Sequence, residues 1–126
     1  MADYCTQDDV EAVVSNITSW AQNLSDKITA ATTEINKYLR NVRSFTADQI
    51  TGLTTQSITD IKLAAVYWTL FLCYNDASEG GSGEYADKAT DYKNWYEREI
   101  RSLNLETTAS GDIPDGKSWG QGVVTM

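Results

Sequence analysis

The chain has 126 residues, the size of one domain, and 41% of them are apolar or aromatic, enough to bury a core without disulfide or metal staples. Eighteen acidic residues against ten basic ones give a formal net charge of −8, which argues against a general nucleic-acid binder and against an anionic membrane surface as partner. Histidine is absent, so Ser–His and Cys–His catalytic pairs are excluded and zinc lacks its usual ligands.

Met1-Ala2-Asp3-Tyr4 is polar and acidic with no apolar run behind it, so no signal peptide is expected and a reducing cytoplasm fits. Thr6-Gln7-Asp8-Asp9 reads as a capping box, and Asp8, Asp9 and Glu11 suit the positive end of a helix dipole. The spacing predicts a short first helix from about Gln7 to Val14, with Val10, Val13 and Val14 on its apolar face. The second helix carries Leu24, Ile28, Ala31, Ile35, Leu39 and Val42 at helical steps, opposite Lys27, Thr33, Asn36, Lys37 and Arg40. Its start is open between Ser25, Thr18 and Ser19, and it is expected to end near Arg43. Residues 44–57 read as a loop with one helical turn at Ala47–Ile50, a short strand being the weaker alternative.

The third helix is expected from Ser57 or Thr59 to about Tyr74. Between Ile61 and Tyr74 only Lys62 and Thr69 are polar. A helix apolar all round is central or membrane-spanning, and fourteen residues fall short of the roughly 20 that a span needs. A central buried helix follows, with surplus apolar surface available to a subunit interface. Asp76 to Gly83 reads as a flexible loop. The fourth helix, from about Glu84 to Leu103, has a stripe of Tyr85, Ala89, Tyr92, Tyr96, Ile100 and Leu103, with Lys93–Glu97 and Glu97–Arg101 spaced to pair. Residues 104–126 lose the helical period and carry Gly111, Gly116, Gly120, Gly122 and Pro114. The expected organisation is a helical domain over 1–105 and a C-terminal arm over 106–126.

Chemistry-bearing patterns are thin. Cys73 sits in an apolar run and reads as a small core residue; a Cys5–Cys73 disulfide stays open. Asp8, Asp9 and Glu11 lack the spacing of a calcium loop, and Asp87 with Asp91 reads as a solvated face. Gly80-Gly81-Ser82-Gly83 lacks the lysine and the preceding strand of a phosphate cradle. No catalytic residue, metal site or cofactor is assigned. Two features remain. Tyr67, Trp68, Phe71, Tyr74, Tyr85, Tyr92, Trp95 and Tyr96 form either a core between antiparallel helices or, in part, a protein interface. Trp95 precedes Tyr96 directly, so the two cannot share one narrow face, and Trp95 is placed at the core edge or in an interface. The other is Trp119, Val123 and Val124, which belong either to an unstructured end or to an arm that orders on a partner.

Four segments together carry a family likeness: Tyr4-Cys5-Thr6-Gln7-Asp8-Asp9-Val10, Ile28 to Leu39, Lys62 to Leu70, and Tyr92 to Ile100. Over residues 4 to about 105 the chain resembles the small head–tail connector (adaptor, head-completion) proteins of tailed bacteriophages. It departs from them at Asn36, where an acid is common, and in 44–57, which lacks the prolines often found there. The resemblance implies an all-α fold, here a small four-helix bundle with a short first helix and an extended C-terminal arm. It also implies a structural virion protein in the neck: a homo-oligomeric ring, usually of twelve copies, beneath the portal protein. Such a ring extends the DNA channel and gives the stopper or tail protein a platform, and an arm clasps the portal or a neighbour. An acidic wall would let DNA slide without specific binding. Two rivals stand beside this expectation: a small acidic helical protein that binds and regulates or inhibits a host protein, and a small carboxylate-based enzyme.

Overall fold

Capping chemistry sets where the helices begin. The structure, a computed structural model, describes residues 3–78 and 83–107. Thr6 accepts from the Asp9 amide while the Asp9 carboxylate accepts from the Thr6 amide, and this reciprocal box opens α1, Gln7–Glu11. Thr46 and Gln49 repeat the arrangement at the start of α4, Ala47–Thr51. Thr54 accepts from the Ser57 amide at 3.1 Å, and α5 runs from Thr55 to Ser78. Between these lie α2, Ile17–Trp20, and α3, Leu24–Asn41; α6, Glu84–Ser102, follows. Gly83, just before α6, has φ +87°, a conformation that a side chain would strain.

The chain is all-α: among the described residues every regular element is a helix, and an isolated antiparallel bridge joins Leu53 to Thr107. Among the described residues the helices number six where four were expected, because Ile17–Trp20 forms a short helix of its own and the turn expected at Ala47–Ile50 is the short helix Ala47–Thr51. The first helix stops at Glu11 rather than Val14, and Val13 is exposed. None of Ser25, Thr18 and Ser19 starts α3. Asn23 precedes it in a left-handed conformation, φ 55°, which separates it from α2. The expected loop 44–57 shortens, and α5 takes in residues 55–56 and 75–78. At 24 residues it exceeds the expected length, yet no described helix is long and apolar enough to cross a membrane.

Helix α5 packs against both α3 and α6, most extensively against α6, and α1 also lies on it. Its apolar side chains point in several directions because it has neighbours on several sides. Ile61, Ala64, Ala65, Leu70 and Cys73 are fully or almost fully buried. They meet Ile35 and Leu39 of α3, Ile100 of α6, Val10 and Ile17 in one core, and each large aliphatic side chain sealed there contributes roughly 1.5–3 kcal/mol. Thr69, inside α5, donates to the Ala65 carbonyl at 2.8 Å, which satisfies its buried hydroxyl.

Leu24, Ile28, Ile35, Leu39, Ala64, Tyr96 and Ile100 are buried, while Phe71 and Tyr92 are half-buried against the core. Val42 leaves the stripe: α3 has ended at Asn41 and the Val42 side chain is 62% exposed. Tyr85, in the first turn of α6, is also exposed. The pairs Lys93–Glu97 and Glu97–Arg101 do not close within 4 Å; the ion pairs among the described residues are Lys27–Asp76 at 3.4 Å and Lys62–Asp9 at 3.7 Å. Lys93 instead sets its ammonium 5.9 Å above the Phe71 ring, where a cation is attracted by the ring face.

Candidate functional site

Antiparallel packing of α5 on α6 assembles a continuous row of rings. From one end, Trp95 meets Tyr92 edge-to-face at 5.1 Å, and Tyr92 stacks on Tyr74 at 5.6 Å with 10° between planes. Tyr74 meets Tyr85 at 5.7 Å, and Tyr85 stacks on Trp20 at 5.3 Å. Tyr67 lies alongside, 5.9 Å from Trp95 and 6.0 Å from Tyr92. A second group, Phe71–Trp68–Tyr96, has centroid separations of 4.8 Å. Such offset and edge-on contacts hold rings rigidly.

The row is sealed in its middle and open at its ends. Tyr74 is buried, Tyr67 and Tyr92 are half-buried, and Trp95 is 40% exposed. Trp95 thus stands at the core edge, off the buried stripe of its helix. Leu63, one turn before Tyr67 on α5, is exposed and extends the apolar strip. At the other end an open groove of about 470 Å³ is lined by Trp20, Ala21, Gln22, Cys73, Asp76, Ala77 and Tyr85. Its acid is already paired with Lys27, which also donates to the Gln22 carbonyl.

The electrostatics of the row favour neutral hydroxyls. Burial raises the pKa of Tyr74 and Tyr92 above the ordinary tyrosine value, and neighbouring tyrosines with the charges of Glu84 at Tyr74 and Asp91 at Tyr92 add to the effect. The cysteines are free, buried thiols. Burial pushes both up to about 11, so they stay protonated near neutral pH, where a thiol is a poor nucleophile. Among the described residues no three of His, Cys, Asp or Glu gather as a metal cage. Asp87 and Asp91 are exposed. The arrangement offers rigid apolar and aromatic surface at the Trp95 end, suited to contact with another macromolecule.

Trp119, Val123 and Val124 lie outside the described residues, as do residues 79–82. Of the expected arm, Glu106 and Thr107 are described, and the segment leading to them is extended. Leu103 and Leu105 are buried and Asn104 and Glu106 exposed, the alternation of an extended segment. The Glu106 amide donates to the Ser57 hydroxyl at 2.7 Å, and the Thr54 amide donates to the Glu106 carbonyl at 3.0 Å. Periodicity gave no sign of this anchor, nor of the Trp20–Tyr85 groove, because both join segments far apart in sequence. Comparison of the chain with protein-family models, with curated proteins and with solved structures returns no match.

Proposed function

We propose that this chain is a non-catalytic assembly protein: a head–tail connector subunit that forms a ring under a phage portal and offers a platform to the stopper or tail protein. In this reading it works in the virion neck, after assembly in the host cytoplasm, and DNA passes through the ring without specific binding. The family likeness supplies the name of the role. The observation that carries the docking part is Trp95, a large side chain left 40% exposed yet braced by Tyr67 and Tyr92. A rigid aromatic at the surface loses little freedom on contact, which is why tryptophan and tyrosine dominate interface energetics. The surplus of acid suits a DNA channel wall.

Light scattering over a wide concentration range, with negative-stain images of the chain alone and with portal protein, tests the proposal. Rings of about a dozen copies, alone or templated by the portal, are expected. A closed dimer that persists at low concentration and ignores the portal would sink it. Such a dimer would favour the host-protein regulator instead.

A further inference from the structure

We infer that the Trp95 face receives an arginine-bearing segment of a different protein. The inference rests on the assembly reading above and names the chemistry of the partner that this face takes. Asp91, Trp95 and Glu99 recur at every fourth residue of α6, so they lie along one face of the helix. Asp91 is exposed and Glu99 half-buried, which puts a carboxylate one turn to either side of the indole. Across on α5, Leu63 and Tyr67 continue the apolar strip, and Asp60 lies one turn before Leu63. Within a turn of Trp95 on α6 the basic residues are Lys93, whose ammonium lies over the Phe71 ring, and Arg98, against the acids Asp91, Glu97 and Glu99.

This pattern favours a planar cation over other occupants. A guanidinium stacks on an indole face and, unlike an ammonium, donates paired hydrogen bonds to carboxylates while stacked. Tyr92 and Tyr67 fix the ring, so the face is formed before the partner arrives. A purely apolar segment would strip water from Asp91 and Glu99 and return no hydrogen bond. A second copy of a chain with net charge −8 would bring acid against acid. Contacts between copies in a ring therefore fall on another face.

The test is a titration of the full chain with the peptide acetyl-Leu-Arg-Leu-Arg-amide, followed at the Trp95 indole N–H by NMR and assigned with Trp95→Phe. The same peptide with Gln for Arg is the control. Binding that shifts Trp95, weakens about tenfold in Asp91→Asn/Glu99→Gln and is lost in Trp95→Ala is expected, with unchanged circular dichroism for each variant. Equal binding of the Gln peptide, unchanged affinity in the double variant, or no shift at Trp95 overturns the inference. Self-association abolished by Trp95→Ala would assign the face to a second copy and also overturn it. Rings on the portal without peptide binding would leave the assembly reading standing and this inference fallen, so the two fail separately.

Discussion

Arg43 caps the end of α6 from outside that helix: its Nη2 donates to the Leu103 carbonyl at 2.9 Å. The same nitrogen reaches the carbonyls of Ile100 at 3.2 Å and Arg101 at 3.4 Å. The last carbonyls of a helix have no partner within it, and its C-terminus carries partial negative charge. One cation answers both needs. Arg43 also lies 5.9 Å from the Tyr38 ring, on α3. The end of α3 is thereby tied to the end of α6, and the segment 103–107 leaves α6 in a fixed direction toward Ser57 and Leu53.

Replacing Arg43 by alanine should therefore cost more than a surface substitution. Hydrogen bonds from a charged donor contribute about 1.5–3 kcal/mol in favourable settings, and partial exposure brings the expected loss to about 1–3 kcal/mol. Chemical denaturation measures it. Amide exchange should accelerate in the last turn of α6 and at Glu106, while the middle of α5 stays protected. Uniform acceleration, or none, would show that the clamp does not hold this end of the molecule.

The sequence made the amphipathic helices plain and the short or tertiary features obscure. α3 and α6 each bury one stripe, so their 3.6-residue period survives in Leu24–Leu39 and Ala89–Leu103. The Thr6–Asp9 box was readable because both partners lie three residues apart. The start of α5 at Thr55 is hidden in the sequence because Thr54-Thr55 resembles a polar loop and the Thr54 cap reaches Ser57 rather than an acid. Ile17–Trp20 is a single turn with one buried side chain, too little to show a period. Trp95 could be placed off the buried stripe from its adjacency to Tyr96 alone. The carboxylates beside it take their meaning from a tertiary contact, Tyr67 of α5 against the Trp95 ring, which no local spacing shows.

Tyr96 supplies a prediction of the opposite sign. Its ring packs on Trp68 and is only 4% exposed, and among the described residues its buried hydroxyl has no hydrogen-bond partner. Burial, with the charge of Glu34 and the neighbouring Tyr38 and Glu97, holds its pKa well above the ordinary tyrosine value. A buried polar group without a partner costs about 1–3 kcal/mol. Tyr96→Phe removes that cost and keeps the ring, so the variant should be as stable as the parent or up to about 2 kcal/mol more stable. A loss beyond 1 kcal/mol or so in urea unfolding would mean that the hydroxyl has a bound partner, such as an internal water.

Cys5 and Cys73 define how stability should fall on the alkaline side. Burial pushes both thiols up to about 11, whereas an unfolded chain ionises its cysteines near about 8.5. Below the unfolded value both states carry neutral thiols, and the two sites make stability independent of pH. Above it the unfolded chain gains thiolates that the core refuses, so stability declines as pH rises from about 8.5 toward 11. Tyr4, pushed by burial up to about 12, extends the decline. Urea midpoints measured between neutral pH and pH 10 should drop for the parent chain and drop less for Cys5→Ala/Cys73→Ala, even though that variant starts lower for want of packing. Equal slopes would show that the thiols titrate in the folded chain as they do in water. The same burial should slow the reaction of both thiols with a disulfide reagent at pH 8 until urea unfolds the protein.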